Sequence, residues 1–137
     1  MDEIDAKIIA ILRAKGNESN TAIAKKIGLS EAAVRKRIAN LVHDGTIARF
    51  TIELGSKAAI SALVMVSVDP HYPVEKVAER IMGMKGVSAL YEITGNYDIV
   101  ALMEGADAEA INSIVDDIRN LKHVAGTDTK MILRKRK

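Results

Sequence analysis

Between residues 25 and 49 the chain carries Lys25, Lys26, Arg35, Lys36, Arg37 and Arg49 against two acids, Glu31 and Asp44. Cations grouped in this way suit the phosphates of a polyanion, which supply affinity but no sequence information. A helix over 31–43 that buries Val34, Ile38 and Leu41 turns Ala32, Ala33, Lys36 and Asn40 outward and leaves Arg35 and Arg37 on its flanks. That outward row has the chemistry to read base edges in a major groove. The alanines permit close approach and can touch a thymine methyl, Lys36 can reach guanine acceptors, and Asn40 can donate and accept at adenine. Lys25, Lys26, Arg35, Arg37 and Arg49 suit the backbone, with Ser30 at the mouth of the helix. The plainer reading is a solvated face on a three-helix bundle that packs against a partner. Other chemistries find little support. The chain has no cysteine, and His43, His71 and His123 lack ligand-like spacing, so no metal site is expected. There is no Ser/His/Asp arrangement and no phosphate loop, so an enzyme is not expected.

The elements that must position the basic row come next. Ile4, Ile8, Ile11 and Leu12 form one helical stripe in 2–15, which Gly16-Asn17 ends. Ser19 suits the N-cap of a short second helix with Ile23, Ala24 and Ile27 inward, and Gly28-Leu29-Ser30 is a tight turn into the third. Two short helices joined by such a turn, after a first helix, spell a helix-turn-helix unit. Asp44-Gly45 stops the third helix. Arg49 to Leu54 then alternates, with Phe50, Ile52 and Leu54 on one side, as a half-buried strand and one arm of a short wing.

Gly55-Ser56-Lys57 begins a linker over 55–59, and a second domain follows over 60–137. Its order is β-α-β-β-α-β: a strand over 60–68, a helix with Pro73 at its first position, a strand over Val87, Ala89, Tyr91 and Ile93, a Gly95-Asn96 hairpin turn, a strand over 99–103, a helix over 110–118, and a last strand through Thr127, Thr129, Met131 and Leu133. This is a ferredoxin-like sandwich. Two helices cover one sheet face only. The other, carrying Leu63, Met65, Leu90, Val100, Leu102 and Ile132, calls for self-association, most simply a two-fold dimer.

The whole-chain balance fits a division of labour. The 137 residues carry a formal net charge of +2, but residues 1–53 hold nine basic and seven acidic residues, 54–129 six and eleven, and 130–137 five and none. A mildly basic first third beside an acidic body points to a polyanion on one side and a different task on the other. The basic end, Arg134-Lys135-Arg136-Lys137, is either a frayed tail or an extra phosphate contact. No apolar run exceeds five residues, so no membrane span is expected, and the acidic, amphipathic start does not read as a secretory signal. A cytoplasmic protein is the simplest expectation.

Taken together, the segments resemble the feast/famine, or Lrp/AsnC, family of transcriptional regulators. The similarity lies in Asp2-Glu3-Ile4-Asp5 with Ile8-Ile9 and Leu12, Ile23-Ala24-Lys25-Lys26-Ile27-Gly28-Leu29-Ser30, Val34-Arg35-Lys36-Arg37-Ile38 with Leu41, and Asp44-Gly45-Thr46-Ile47. It continues in Tyr91-Glu92-Ile93-Thr94-Gly95-Asn96-Tyr97-Asp98, which is similar to the family's effector-domain signature. The match covers nearly the whole chain and is nearest to short archaeal members. It implies an α+β protein: an N-terminal winged helix-turn-helix over 1–54 that binds pseudo-palindromic double-stranded DNA, then a ferredoxin-like RAM/AsnC-type domain that senses an amino acid and assembles dimers, often into octamers. It implies no cofactor other than that effector.

In the family the effector sits between dimers, against the loop joining the second and third strands of this domain. Here that loop is Thr94-Gly95-Asn96-Tyr97-Asp98, with Thr127, Asp128 and Thr129 as candidates from a neighbouring subunit. The chemistry agrees. Gly95 permits close approach of backbone to a small zwitterion, free N–H groups in a turn can hold an α-carboxylate, and Asp98 can pair with an α-ammonium. Tyr97 offers a ring and a hydroxyl. The plainer reading is a hairpin turn and a core aromatic. Asn96 stands where relatives often carry an acid, which weakens the case for a lysine-like or arginine-like effector, although Glu92, Glu104 and Asp116 can still favour one. The expected function is therefore an effector-responsive, sequence-specific DNA-binding regulator. The alternative is a sensing or architectural DNA-associated protein that acts through protein partners without strong sequence specificity.

Overall fold

The computed structural model describes residues 1–53 and 59–136. The chain divides into two compact units, Met1–Leu54 and Gly55–Lys137.

The first unit starts with a reciprocal cap. The Asp2 carboxylate accepts from the Asp5 N–H at 2.8 Å and the Asp5 carboxylate from the Asp2 N–H at 3.0 Å. Two donors at the head of α1 (Glu3–Ala14) are thereby satisfied. Ser19 and Ser30 cap α2 (Asn20–Ile27) and α3 (Glu31–His43) through their hydroxyls, which accept from Ala22 and Ala33. The turn between them needs Gly28, which sits at φ 76° and donates its N–H back to Ala24. Ile8, Ile23, Ala24 and Val34 are buried together, with Ile4, Ile11, Leu12, Ile27, Leu29 and Ile38 packed around them.

The expected wing strand is not formed over 49–53, and Leu54 lies outside the described residues. Alternation alone does not make a strand: it needs a neighbouring strand to ladder with, and among the described residues no strand ladder includes 49–53. Phe50 and Ile52 are accordingly 56% and 81% exposed instead of half-buried.

The second unit is a four-stranded antiparallel sheet of order β2-β3-β1-β4, with β1 (Ile60–Val68), β2 (Val87–Glu92), β3 (Ile99–Gly105) and β4 (Val124–Met131). Two helices, α4 (Val74–Met82) and α5 (Ala108–Arg119), cover one face. Pro73 occupies the cap of α4, one residue before the position expected for it. Ala62, Val64, Val66, Ile99, Ala101 and Met103 face the helices and are buried against Val77, Ile81, Ile111, Val115 and Ile118. This is the β-α-β-β-α-β order read from the sequence. Leu133, expected to close β4, lies beyond it and is 97% exposed.

One expectation about the open face fails. Leu90 pairs with Ala101 and packs on the helix-side core, while Ala89 and Tyr91 oppose Leu102 and Val100 on the open side. A register shift between Val87 and Ala89 is the cause: the extra residue at Ser88 inverts the alternation.

The two halves end their helices in matching turns. Val87 N–H donates to Met84 at 3.3 Å, as Val124 N–H does to Leu121. Gly86 stands in the first turn at φ 95°, whereas His123 stands in the second at φ 74°. His123 holds this left-handed conformation while its ring stacks on Tyr72 (centroids 3.7 Å apart, planes 11°) and its Nδ1 lies 3.2 Å from Asp69 Oδ2.

Candidate DNA-binding surface and effector loop

α3 presents the outward row as its periodicity requires. Val34 and Leu41 are buried, Ala32, Lys36 and Asn40 are exposed, and Ala33 is half-buried on the flank. Ser30 is committed to the helix cap, so its hydroxyl holds the start of α3 in place.

The cations beside this row are not equivalent. Arg37 turns back to α1, where its Nη1 lies 2.7 Å from Asp2 and 2.8 Å from Asp5. Both carboxylates also form the α1 cap, so Arg37 ties the head of α1 to α3. These contacts hold the guanidinium above its usual range, the Asp5 bond contributing most, and hold the Asp2 carboxyl below its own. Asp2's largest cause is the Asp5 N–H. Lys26 pairs with Glu18 at 2.7 Å, and Lys15 meets the same carboxylate at 3.3 Å. Arg35 pairs with Glu31, whose other oxygen accepts from the Thr21 hydroxyl at 3.0 Å. Lys25, Lys36 and Arg49 have no partner among the described residues. Arg49 also lines an open, largely apolar groove of about 280 Å³ with Ile9, Leu12, Ile47 and Phe50.

Sequence reasoning grouped all six cations by proximity. It missed Asp2, Asp5, Glu18 and Glu31 as their partners. Glu31 and Arg35 are four apart on a helix and thus legible as a pair; the Arg37 contacts span more than thirty residues and are not.

In the second unit the loop after β2 closes on itself. Ile93 N–H donates to the Asp98 carbonyl at 2.9 Å, and Gly95 takes φ 112°. The turn is thus a six-residue connection from 93 to 98 and not a two-residue hairpin. Asp98 is anchored to β1: its N–H donates to the Val66 carbonyl at 2.9 Å, and its Oδ2 accepts from the Val68 N–H at 2.7 Å. Tyr97 reaches to β4, where its hydroxyl donates to Asp128 at 3.1 Å. Lys130 sits 2.8–3.0 Å from the same carboxylate. Lys130 is the main cause that lowers the Asp128 pKa; the bond to Asp128 raises that of Tyr97, since ionising the phenol would set two anions together. Thr94, Gly95 and Asn96 are exposed.

The three β4 candidates are not on one side. Asp128 opposes Met65 on the open face, with Lys130 beside Leu63. Thr127 and Thr129 oppose Val66 and Val64 on the helix face, where the Thr127 hydroxyl accepts from Arg119 Nε at 2.9 Å. The Thr129 hydroxyl is buried with no partner among the described residues. Within one chain, Tyr97 and Asp128 come together, Asp98 is held separately on β1, and the threonines do not join them.

A helix-turn-helix with an open, polar recognition row, and a separate ferredoxin-like unit with a polar loop anchored over its sheet, define a two-unit regulator architecture. Residues 61–137 match the Lrp/AsnC ligand binding domain, and residues 1–42 match the AsnC-type helix-turn-helix domain. The chain belongs to the Lrp/AsnC family of transcriptional regulators. It is 42% identical to the HTH-type transcriptional regulator LysM of Sulfurisphaera tokodaii, over 98% of this chain and 96% of that protein. It is also 42% identical to the regulator of the same name in Saccharolobus solfataricus, over 98% and 94%. Among solved structures, the feast or famine regulatory protein of Mycobacterium tuberculosis complexed with L-methionine superposes with a TM-score of 0.88 at 26% identity, covering 98% of this chain and 92% of that one. The leucine response regulatory protein of the same organism superposes with a TM-score of 0.84 at 26% identity, covering 98% and 94%. Among the described residues no helix is long and apolar enough to cross a membrane.

Proposed function

We propose that this protein is a sequence-specific DNA-binding regulator whose occupancy responds to an amino acid. The observation that carries the reading is the α3 row: Ala32, Lys36 and Asn40 stand exposed, and Ser30 fixes the helix that bears them. Residues 1–54 form the DNA-binding domain and 60–137 the effector-binding and assembly domain. Lys36 and Asn40 read base edges from the major groove, and Lys25 and Arg49 hold phosphates. A cytoplasmic homodimer, assembling further to an octamer, presents two such helices to a pseudo-palindromic site. The effector's ammonium and carboxylate meet the polar groups of 94–98, and Asp128 with Lys130 supplies the facing charges. That the related mycobacterial protein is complexed with L-methionine supports an amino acid as the ligand class. Coupling arises because the ligand binds one assembly state more tightly than another.

The test is binding to the protein's own upstream DNA and to a scrambled duplex, with and without each of the twenty amino acids. Lys36→Ala should cost about 1–3 kcal/mol on the upstream DNA and relax its preference over the scrambled one. Equal binding to both duplexes by the unaltered protein would remove the sequence-specific reading.

A further inference from the structure

Of the six cations on or beside the helix-turn-helix, three are already paired within the chain. Arg37 belongs to the α1–α3 tie. The pair at the head of α3 is of another kind, because both partners lie at the surface: the Arg35 side chain is 68% exposed and that of Glu31 45%. The carboxylate is nevertheless fixed from two sides. It is at the first residue of α3, and the Thr21 hydroxyl of α2 donates to the oxygen that Arg35 leaves free. Its pKa is lowered, by Thr21 first and Arg35 second, so it stays ionised at neutral pH. Glu31 is therefore the anchored member, and Arg35, on a long side chain in solvent, is the movable one.

Resting on the DNA-binding reading above, we infer that Glu31, positioned by Thr21, is an autoinhibitory residue that holds Arg35 off the DNA backbone and limits affinity for any sequence. The physics is competition. A phosphate gains Arg35 only when the arginine leaves a carboxylate that stays where it is. The pair then approaches the backbone as a neutral unit and releases no counterion, since release scales with the phosphates neutralised. The basic cluster seen along the sequence thus overstates the charge available to DNA.

The slope of log affinity against log salt tests this in the full-length protein, for the upstream and the scrambled duplex. Each newly engaged arginine steepens the slope by about 0.9. Glu31→Gln should steepen it by about that amount per bound subunit and raise affinity for both duplexes several-fold at low salt. Arg35→Gln, which leaves the Glu31 charge uncompensated beside the backbone, should weaken binding to both duplexes alike, and Glu31→Gln with Arg35→Gln, neutral once more at this position, should return to the slope of the unaltered protein. Circular dichroism melts establish that each variant is folded, and Thr21→Val, which leaves both charges in place, should give a smaller shift in the same direction. The inference is overturned if the double variant falls about 0.9 below the slope of the unaltered protein, because Arg35 then already contacts phosphate. It is equally overturned if the double variant keeps the steeper slope of Glu31→Gln, because removal of a negative charge, not release of Arg35, would then be the cause. If the unaltered protein binds neither duplex, the DNA-binding reading itself fails; if it binds and the variants leave its slope unchanged, only the autoinhibitory contact does.

Discussion

Asp98 separates what a residue does for the fold from what it does for a ligand. β1 runs to Val68, but β3 begins at Ile99, which pairs with Val66. The Val68 N–H lies two residues past the end of that ladder and finds the Asp98 carboxylate at 2.7 Å instead. Val68 itself is 7% exposed. Replacing Asp98 by Ala leaves a backbone donor with little access to water, at a cost of about 1–3 kcal/mol. For a domain of this size that corresponds to a drop in Tm of about 4–24 °C. Asp98→Asn keeps an acceptor in place but gives up the charge; since charge-assisted bonds are about twice as strong as neutral ones, it should lose about half as much. Thermal melts by circular dichroism measure both, and calorimetric titration with the twenty amino acids then asks about the ligand. If Asp98 also pairs with an α-ammonium, Asp98→Asn weakens amino-acid binding at least tenfold while the protein stays folded. A melt of Asp98→Ala within a degree of the unaltered protein would refute the capping argument. An Asn variant with full ligand affinity would leave Asp98 as a cap alone.

Gly86→Ala should be among the most damaging small changes. A methyl group there would lie 2.5 Å from Ile114 Cδ1 and 3.0 Å from the Glu104 carbonyl, at φ 95°. Left-handed strain and overpacking together predict a loss of about 2–5 kcal/mol in urea unfolding, and an unchanged midpoint would contradict it. Arg37→Gln should lower the melting temperature of the first unit while leaving the salt slope of DNA binding as it was; a flattened slope would make Arg37 a phosphate contact after all. The folded-state pKa values of Asp2, Glu18 and Glu31 are held below their ordinary 3.8, 4.5 and 4.5. Their stabilisation is thus complete above about pH 4.5 and disappears as pH falls through the depressed values. Unfolding free energies measured from pH 6 down to pH 2 should decline in that window, and a Glu18→Gln, Glu31→Gln variant should show a shallower decline.

What could be read along the chain was whatever depends on near neighbours. The caps at Ser19 and Ser30, the left-handed turn at Gly28 and the inward stripe of α3, with Val34 and Leu41 buried and Ile38 partly so, all follow from spacings of a few residues. The β-α-β-β-α-β order likewise follows from where the period changes from two to 3.6. The misses have two sources. Alternation carries no record of a bulge, so Ser88 displaced Leu90 to the other face, and it does not ensure a ladder, so the alternating run at 49–53 forms no strand among the described residues. Pairing across the fold is also invisible in a local window. Arg37 read as a DNA contact because Asp2 and Asp5 are too distant in sequence to claim it, and Thr127-Asp128-Thr129 read as one cluster although a strand sends its neighbours to opposite sides.

The place of β1 in the sheet has a consequence for how the protein is made. Val64 pairs with Ala101 on one side and with Thr129 on the other, so the strand's partners are translated well after it. At roughly 5–20 residues per second, the ribosome delivers Thr129 about 3–13 s later. Throughout that interval the β4 edge of β1 stays unpaired, and Ala62, Val64 and Val66 gain their cover only piecemeal as α4, β3 and α5 emerge, whereas the three short-range helices of the first unit can already have closed around Ile8 and Ile23. The nascent chain therefore passes through a stage in which a finished helix-turn-helix trails an unpaired apolar strand. This is the point in the protein's life at which it most needs shielding from other chains.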